Sequence, residues 1–209
     1  MTALNDRFAG LLRRLEATGN AGPLAAELIA AWSAPSRRYH DLAHLRECLN
    51  ELDRAPAERD TRDRVEAALW FHDAVYDSRR SDNEQRSAEW ARGALTRLGA
   101  LPVIADEIAR LVLLTRHDKP PDDAAGQLIA DVDLSVLGRA PAAFDAYDRA
   151  IREEYAWVPD KEYRAARHRI LSQLLDRSPL YLTPHFRDRY EASARANLAR
   201  ALERLGEEA

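Results

Sequence analysis

Apolar residues recur at intervals of three and four along almost the whole chain, a spacing typical of amphipathic α-helices. Proline and glycine mark segment ends: Pro35 closes the second segment, Gly99 follows the fifth and Pro102 opens the sixth. No segment alternates with the period of two expected of a strand, and residues 119–123 (Lys-Pro-Pro-Asp-Asp) are predicted to form a loop. The pattern predicts helices over residues 4–16, 23–33, 39–53, 61–76, 81–98, 102–116, 128–137, 141–157, 160–177 and 184–205.

The chain contains no repeat at a fixed interval, no low-complexity tract and no linker that would divide it. We therefore predict a single all-α domain, a helical bundle over residues 1–209. The second half of the segment 61–76 carries little polar surface. His72 and Asp73 are thus expected in a buried environment, where polar groups need partners.

Composition is that of a soluble globular protein, with 46% hydrophobic and 32% charged residues among 209. No apolar run approaches the roughly 20 residues of a membrane helix, and the N-terminus lacks the pattern of a signal peptide. We expect a cytoplasmic location and no membrane partner. The net charge of −4 gives no general attraction to nucleic acid, and homo-oligomerisation stays open. The single cysteine, Cys48, is predicted to be a buried core thiol rather than a nucleophile.

Three short strings contain the residue types of a metal site: residues 39–44 (YHDLAH), 71–73 (FHD) and 131–134 (DVDL). Imidazole and carboxylate together suit Mn, Fe, Co, Ni or Zn better than Ca. A histidine directly before an aspartate can offer both kinds of ligand to one ion. The strings therefore indicate a transition-metal site built from several helices.

The spacing within each string supports this interpretation. His40 and His44 are four residues apart, so on the predicted helix they would share one face, about 5.4 Å apart along the axis. His72 and Asp73 would point about 100° apart on theirs, and Asp133 would complete the set from a third helix. A single histidine or aspartate is most often structural. Purely structural roles are harder to assign to the whole set, because burying a His-Asp pair without a compensating charge is energetically costly.

The ordered residues His44, His72, Asp73 and Asp133 resemble the H…HD…D signature of the HD superfamily of metal-dependent phosphohydrolases. The string 39–44 is also similar to the YHNxxH motif of cyclic-nucleotide phosphodiesterases, although Asp41 replaces the asparagine. Longer phrases, which together extend the resemblance over most of the chain, are similar to a bacterial branch identified only as predicted HD phosphohydrolases: residues 39–45 (YHDLAHL), 71–77 (FHDAVYD), 83–88 (NEQRSA) and 131–138 (DVDLSVLG).

The resemblance implies an HD-type helical fold in which His44, His72, Asp73 and Asp133 bind one or two divalent ions, Mn, Fe, Co, Ni or Zn, with Mg as an alternative. It implies hydrolysis of a nucleotide or another small phosphoester, with metal-activated water as the nucleophile. By similarity to the phosphodiesterases, His40 is the general acid that protonates the leaving group. Asp73 has a possible second role, bridging two ions or holding the nucleophile.

Glu84 and His117 each have two interpretations. Glu84 lies three residues after Ser81, which is the spacing of a capping box. The resemblance instead places it near the metal, as a catalytic carboxylate that orients water or binds a second ion. His117 follows the predicted helix that ends near Arg116, so it either compensates the helix dipole or contacts substrate phosphate or a second ion. We favour the second role for His117.

Three further residues are candidates for substrate contact. Asp131 competes with Asp133 as a ligand, and similarity to the family's alanine-aspartate-arginine-leucine phrase favours Asp133, leaving Asp131 beside the ligands or in contact with substrate. Arg164 and Arg167 lie on a late predicted helix. They form either a solvated basic face or a site that captures phosphate.

Two other function classes stay open. One is a regulatory or binding module in which a metal braces the helices, which a closed coordination shell would support. The other is a paired-iron oxygenase, but the HD proteins of that kind add two histidines between the HD pair and the last aspartate, and this chain has only His117 there. A nuclease is disfavoured by the net charge and the lack of an aromatic and basic platform.

Overall fold

The computed structural model describes residues 2–207, which form ten α-helices and one 3-10 helix and contain no strand. The prediction of an all-α fold is confirmed. None of these helices combines the length and the apolar character that crossing a bilayer requires. The elements are α1 (Thr2–Arg14), α2 (Ala21–Trp32), α3 (Leu42–Arg54), α4 (Arg59–Phe71), α5 (Asn83–Arg97), α6 (Pro102–Leu114), α7 (Ala124–Asp133), the 3-10 helix (Leu134–Gly138), α8 (Pro141–Glu154), α9 (Asp160–Leu175) and α10 (Pro184–Glu207).

Contacts between Cα atoms divide the chain into two compact units, one ending at Ala130 and one beginning at Asp131. The division falls within α7. A single domain over residues 1–209 stays a prediction.

In the first unit α4 is the central helix and contacts α1, α3, α5 and α6. Val65 and the run from Ala67 to Phe71 are fully buried, which agrees with the prediction that this segment is largely enclosed. A backbone carbonyl on α4, that of Trp70, accepts a hydrogen bond at 2.9 Å from the indole Nε1 of Trp32 on α2. α2 also contacts α1 and α3, so α3, which carries His44, and α4, which ends just before His72, belong to one core.

Buried acidic residues on α4 are neutralised by arginines of α1. The Glu66 carboxylate accepts hydrogen bonds from Arg7 Nε at 2.7 Å and from Arg14 Nη2 at 3.1 Å. Asp63 accepts one from Arg14 Nε at 2.8 Å. Buried carboxylates need such partners, since an unpaired charge in the core is strongly destabilising.

α3 begins three residues later than its apolar spacing predicts. The first helical residue is Leu42, and the side chain of Asp41 accepts hydrogen bonds from the backbone N–H groups of Ala43 and His44 as the N-cap. Aspartate favours this position because its carboxylate satisfies N–H groups that have no partner in the helix. His40 therefore lies in the turn before α3, and its predicted place on the helix is wrong.

α4 ends five residues earlier than predicted, at Phe71, with His72 as its C-cap. The chain then turns tightly, and the Ala74 N–H donates to the Phe71 carbonyl at 2.9 Å. The carbonyls of Asp73 and Ala74 accept hydrogen bonds from the buried side chain of Arg37, at 2.7 and 3.0 Å. The prediction that His72 and Asp73 project from within one helix is thus wrong, because side-chain donors replace the helical hydrogen bonds.

The second unit packs α10 against α9 and the 3-10 helix, and α8 also contacts the 3-10 helix. Its core includes Phe144, Leu171, Phe186 and Leu198, all fully buried. Gly138 ends the 3-10 helix where a Cβ would overlap the side chain of Tyr190, so the close approach of α10 requires glycine.

Candidate metal centre

His44 is held at the start of α3 with its imidazole in the core. Its backbone N–H donates to the Asp41 carboxylate, and its side chain is 3% exposed. The ring packs against the rings of Trp32 and Tyr39, at centroid distances of 6.2 and 4.7 Å. The ring is therefore enclosed by aromatic groups.

His72, at the end of α4, has a defined tautomer. Its Nδ1 lies 2.8 Å from the carbonyl oxygen of Leu69, which can only accept a hydrogen bond. Nδ1 therefore carries a proton, and Nε2 is the ring nitrogen that lies next to the ligand-type atoms of His44 and Asp73. Metal-binding histidines commonly use this arrangement, in which one ring nitrogen donates to a carbonyl or carboxylate and the other binds the ion.

Three ligand-type atoms of the first unit converge. His44 Nε2 lies 3.2 Å from His72 Nε2, Asp73 Oδ2 lies 3.1 Å from His72 Nε2, and the third side of the triangle, His44 Nε2 to Asp73 Oδ2, is 3.9 Å. Ligands bound at about 2.0–2.1 Å to one ion lie roughly 2.8–3.4 Å apart in octahedral or tetrahedral geometry. Two sides of the triangle fall in that range and the third is longer, so the structure brings these three predicted residues close to the spacing of a metal site.

Cys48 also borders this cluster, on α3 one turn after His44. Its thiol is buried as predicted. The ligand-type atoms of Cys48, His44 and His72 all lie within 4.8 Å of one another. Sequence analysis missed this contact, although the spacing of four between the two residues places them on one helix face. Because Sγ is 3.7 Å from Nε2 and 3.8 Å from Nδ1 of His44, the sulfur packs beside the ring rather than along the Nε2 lone pair.

Arg37 is a second residue that sequence analysis missed, and it ties the two ligand-bearing segments together. Its Nη1 donates to the carbonyls of His40 at 2.6 Å and Asp73 at 2.7 Å, and its Nη2 donates to that of Ala74 at 3.0 Å. Arg37 lies in a segment without helical periodicity, so no pattern marks it as buried. Its contacts keep the turn before α3 against the turn after α4.

His40, the predicted general acid, lies at the edge of the cluster. Its ring centroid is 6.0 Å from that of His44, and its ring stacks on Tyr76 at a centroid distance of 4.3 Å and an interplanar angle of 27°. His40 is half-buried, whereas His44 and His72 are buried. The structure therefore places His40 beside the three converging ligand atoms.

The NEQRSA phrase supports the turn after α4 through residues other than Glu84. Asn83 exchanges hydrogen bonds with the backbone of Asp77, and the Ser87 hydroxyl bonds both backbone groups of Val75. α5 begins at Asn83 and its N-cap is Asp82, without a side-chain cap hydrogen bond, so the predicted capping box is wrong. Glu84 is half-buried and, within residues 2–207, makes no hydrogen bond or ion pair with the cluster.

His117 follows α6 in the left-handed conformation, with φ of 56°. Its backbone N–H donates to the Leu114 carbonyl at 3.1 Å, as at many helix C-termini. This geometry explains the position of its backbone. The predicted contact of its side chain with phosphate or a second ion stays a prediction.

In the second unit Asp131 has structural partners. Its carboxylate accepts hydrogen bonds from the backbone N–H groups of Leu182 and Thr183 and from the Thr183 hydroxyl, at 2.7–2.8 Å. Burial raises the pKa of Asp131 above its usual value, although these donors oppose the rise. Asp133, the last residue of α7, is half-buried, and its ligand role stays a prediction.

The arginines predicted to capture phosphate also have structural partners in the second unit. Arg164 donates to the carbonyls of Arg204 and Leu205 near the end of α10. Arg167 is buried, pairs with Asp148 at 2.9 Å and lies 5.1 Å over the ring of Tyr147. The alternative of a solvated basic face is wrong for Arg167, because its guanidinium is enclosed by these partners.

The first unit thus contains a buried group of imidazole, thiol and carboxylate side chains that could hold a metal ion. The chemistry of these donors fits a transition metal, as do two of the three separations among His44, His72 and Asp73. The chain matches no protein-family model, no curated protein and no solved structure.

Proposed function

We propose that this protein is a metal-dependent phosphohydrolase that acts on a nucleotide or another small phosphoester. The observation that carries the proposal is the convergence of His44 Nε2, His72 Nε2 and Asp73 Oδ2 within 3.1–3.9 Å. The Nδ1–H of His72 donates to a backbone carbonyl, which directs Nε2 toward the other two ligand-type atoms, as in many metal-binding histidines. Two imidazoles and a carboxylate suit Mn, Fe, Co, Ni or Zn.

In this proposal His44, His72 and Asp73 hold the ion. The resemblance adds one carboxylate from the second unit, and Asp133 is the better candidate because the hydrogen bonds of Asp131 already occupy that carboxylate. A bound divalent ion supplies Lewis acidity toward a phosphoryl group and makes water more acidic. The protein's own contribution is to fix the ligands and to exclude bulk water, which the burial of both histidines supports.

His40 is the proposed general acid. Departure of an alkoxide from phosphorus requires a proton, and an imidazole N–H is suited to donate one near neutral pH. The ring of His40 is close to that of His44 but packs on Tyr76, which supports a division of roles between the two histidines. The proton would pass from the imidazolium to the leaving-group oxygen.

The test is metal reconstitution followed by assay. The protein is stripped with a chelator, reloaded separately with Mn, Fe, Co, Ni, Zn or Mg, and supplied with an aryl phosphate and a panel of nucleotides. We expect phosphate release with at least one of the transition metals, and its loss in His72→Ala. His168→Ala, which removes an exposed histidine of α9, is the matched control. Tight metal binding without phosphate release from any substrate would contradict the proposal.

One observation favours a second candidate function, a binding or regulatory module in which the ion only stabilises the packing of the helices. His44, His72 and Asp73 are 3%, 1% and 8% exposed, a degree of enclosure that is common in structural metal sites. In that case the reconstituted protein gains thermal stability but hydrolyses nothing. The same reconstitution experiment separates the two functions.

A further inference from the structure

A line of stacked side chains leads from the core of the first unit to His40. The Arg37 guanidinium lies 5.3 Å from the ring centroid of Trp32 and 5.5 Å from that of Tyr76. The ring of Tyr76 in turn stacks on the imidazole of His40 at 4.3 Å. Tyr76 therefore connects a buried cation with the imidazole of His40.

The cation in this line is fixed by hydrogen bonds. Arg37 donates to the His40 carbonyl on one side and to the carbonyls of Asp73 and Ala74 on the other. Hydrogen bonds from a charged donor to buried carbonyls are stronger than neutral ones. The guanidinium and the backbone of His40 are consequently fixed relative to the turn that carries Asp73.

Ring contacts help to fix the direction of the His40 side chain. His40 precedes the N-cap of α3, so no helical backbone restricts its rotamers, and the residue is half-buried. The rings of Tyr39 and His44 meet it edge-on, at 81° and 5.0 Å and at 80° and 6.0 Å. Tyr76 instead stacks on a face of the imidazole, so it is placed to favour one rotamer.

We propose that Tyr76, backed by Arg37, is a positioning residue that holds the His40 imidazole beside the cluster of His44, His72 and Asp73. The inference rests on the proposed function in one respect, that His40 acts as the proton donor. Tyr76 itself touches neither substrate nor ion in this proposal. The aromatic ring carries the effect, because stacking requires a face and not a hydroxyl.

The first test measures position without metal or substrate. Nuclear Overhauser contacts between the ring protons of His40 and His44 are recorded in the wild type, in Tyr76→Phe and in Tyr76→Leu. Leucine is chosen because it keeps an apolar cover over Arg37. We expect the contacts to persist with phenylalanine and to weaken or vanish with leucine. Undiminished contacts in the leucine variant would overturn the inference.

The second test uses the reconstituted enzyme. Stacking changes the equilibrium constant between rotamers by a factor of about 2 to 12, so Tyr76→Leu should lower kcat by up to about that factor for a nucleotide or alkyl phosphate. A nitrophenyl phosphate, whose leaving group needs no proton, should be hydrolysed at nearly the wild-type rate. Tyr76→Phe should restore kcat, and KM and metal content should stay unchanged.

A double-mutant cycle completes the design. In a His40→Ala background, Tyr76→Leu should cause no further loss, because the residue acts only through that imidazole. An equal loss in both backgrounds would assign Tyr76 a general structural role and overturn the inference. If the wild type hydrolyses no phosphoester while the ring contacts still depend on Tyr76, the proposed function fails and the role as proton donor fails with it. The positioning of the ring itself would then stand.

Discussion

Removal of His72 tests the metal centre through its effect on stability. The perturbation is His72→Ala, compared in chelator and in a transition metal. Without metal the variant loses the hydrogen bond from Nδ1 to the Leu69 carbonyl and the packing of the ring against Trp32 at 5.2 Å. A lost buried hydrogen bond of this kind costs about 1–3 kcal/mol. The difference in stability between wild type and His72→Ala in chelator therefore measures the structural role of the ring.

The metal adds a separate contribution that the variant should not gain. At a free metal concentration of 100 times Kd, binding to the folded state stabilises a protein by about 2.7 kcal/mol. A chain of 209 residues gains about 2–4 °C in Tm per kcal/mol, so the wild type should gain about 5–11 °C. In His72→Ala the increment should fall below about 2 °C, because His44 and Asp73 remain as an incomplete set of ligands.

The assay is calorimetry on matched samples. His168→Ala serves as the control, since it removes one exposed histidine and should keep the full metal-dependent increment. Elemental analysis of the same samples reports metal content. Equal increments in wild type and His72→Ala would refute the assignment of Nε2 as a ligand, whatever the variant's stability in chelator.

Further predictions address four other residues. His44→Ala should lose both metal and turnover, whereas His40→Ala should keep metal and lose turnover by about 10²- to 10⁴-fold; elemental analysis with steady-state kinetics checks this, and the opposite pattern would exchange the two roles. His117→Asn should leave the free energy of unfolding within about 0.5 kcal/mol of wild type, because asparagine tolerates the positive φ of this position. His117→Val should lower it by about 1–2 kcal/mol, because a β-branched residue does not. Urea denaturation measures both free energies. Burial tends to raise the pKa of Glu191, but hydrogen bonds from two backbone N–H groups and one arginine outweigh it, and its pKa lies below the usual value. The stabilising contribution of the Glu191 carboxylate should be complete above pH 4.5 and disappear as the pH falls through its lower folded-state pKa. The difference in free energy of unfolding between wild type and Glu191→Gln should therefore shrink in acid. A difference that grows in acid would contradict this reasoning.

The prediction of an all-helical fold follows from local properties of the chain. Periodic apolar residues define helix faces, and proline and glycine end them, so the positions of most helices are predicted well. Helix ends are predicted less well where side chains compete with the backbone. Asp41 caps α3 and so leaves His40 outside it, and Arg37 binds the carbonyls that follow α4. Asp41 is a local signal that the apolar spacing alone does not show, whereas Arg37 lies 36 residues before Asp73, and no periodic pattern indicates that contact.

The order of His44, His72 and Asp73 in the chain sufficed to select them as candidate ligands, because few residue types bind transition metals and each occurs in a short, distinctive string. Their convergence is a property of the tertiary structure, since the separations of 3.2 and 3.9 Å from His44 to His72 and Asp73 depend on how α3 and α4 pack. The same packing placed Cys48 near His72 and buried Arg37 next to Tyr76, which no spacing in the sequence predicted. Local periodicity determines which face of a helix is apolar, but only the packing of several helices decides which polar side chains on those faces meet.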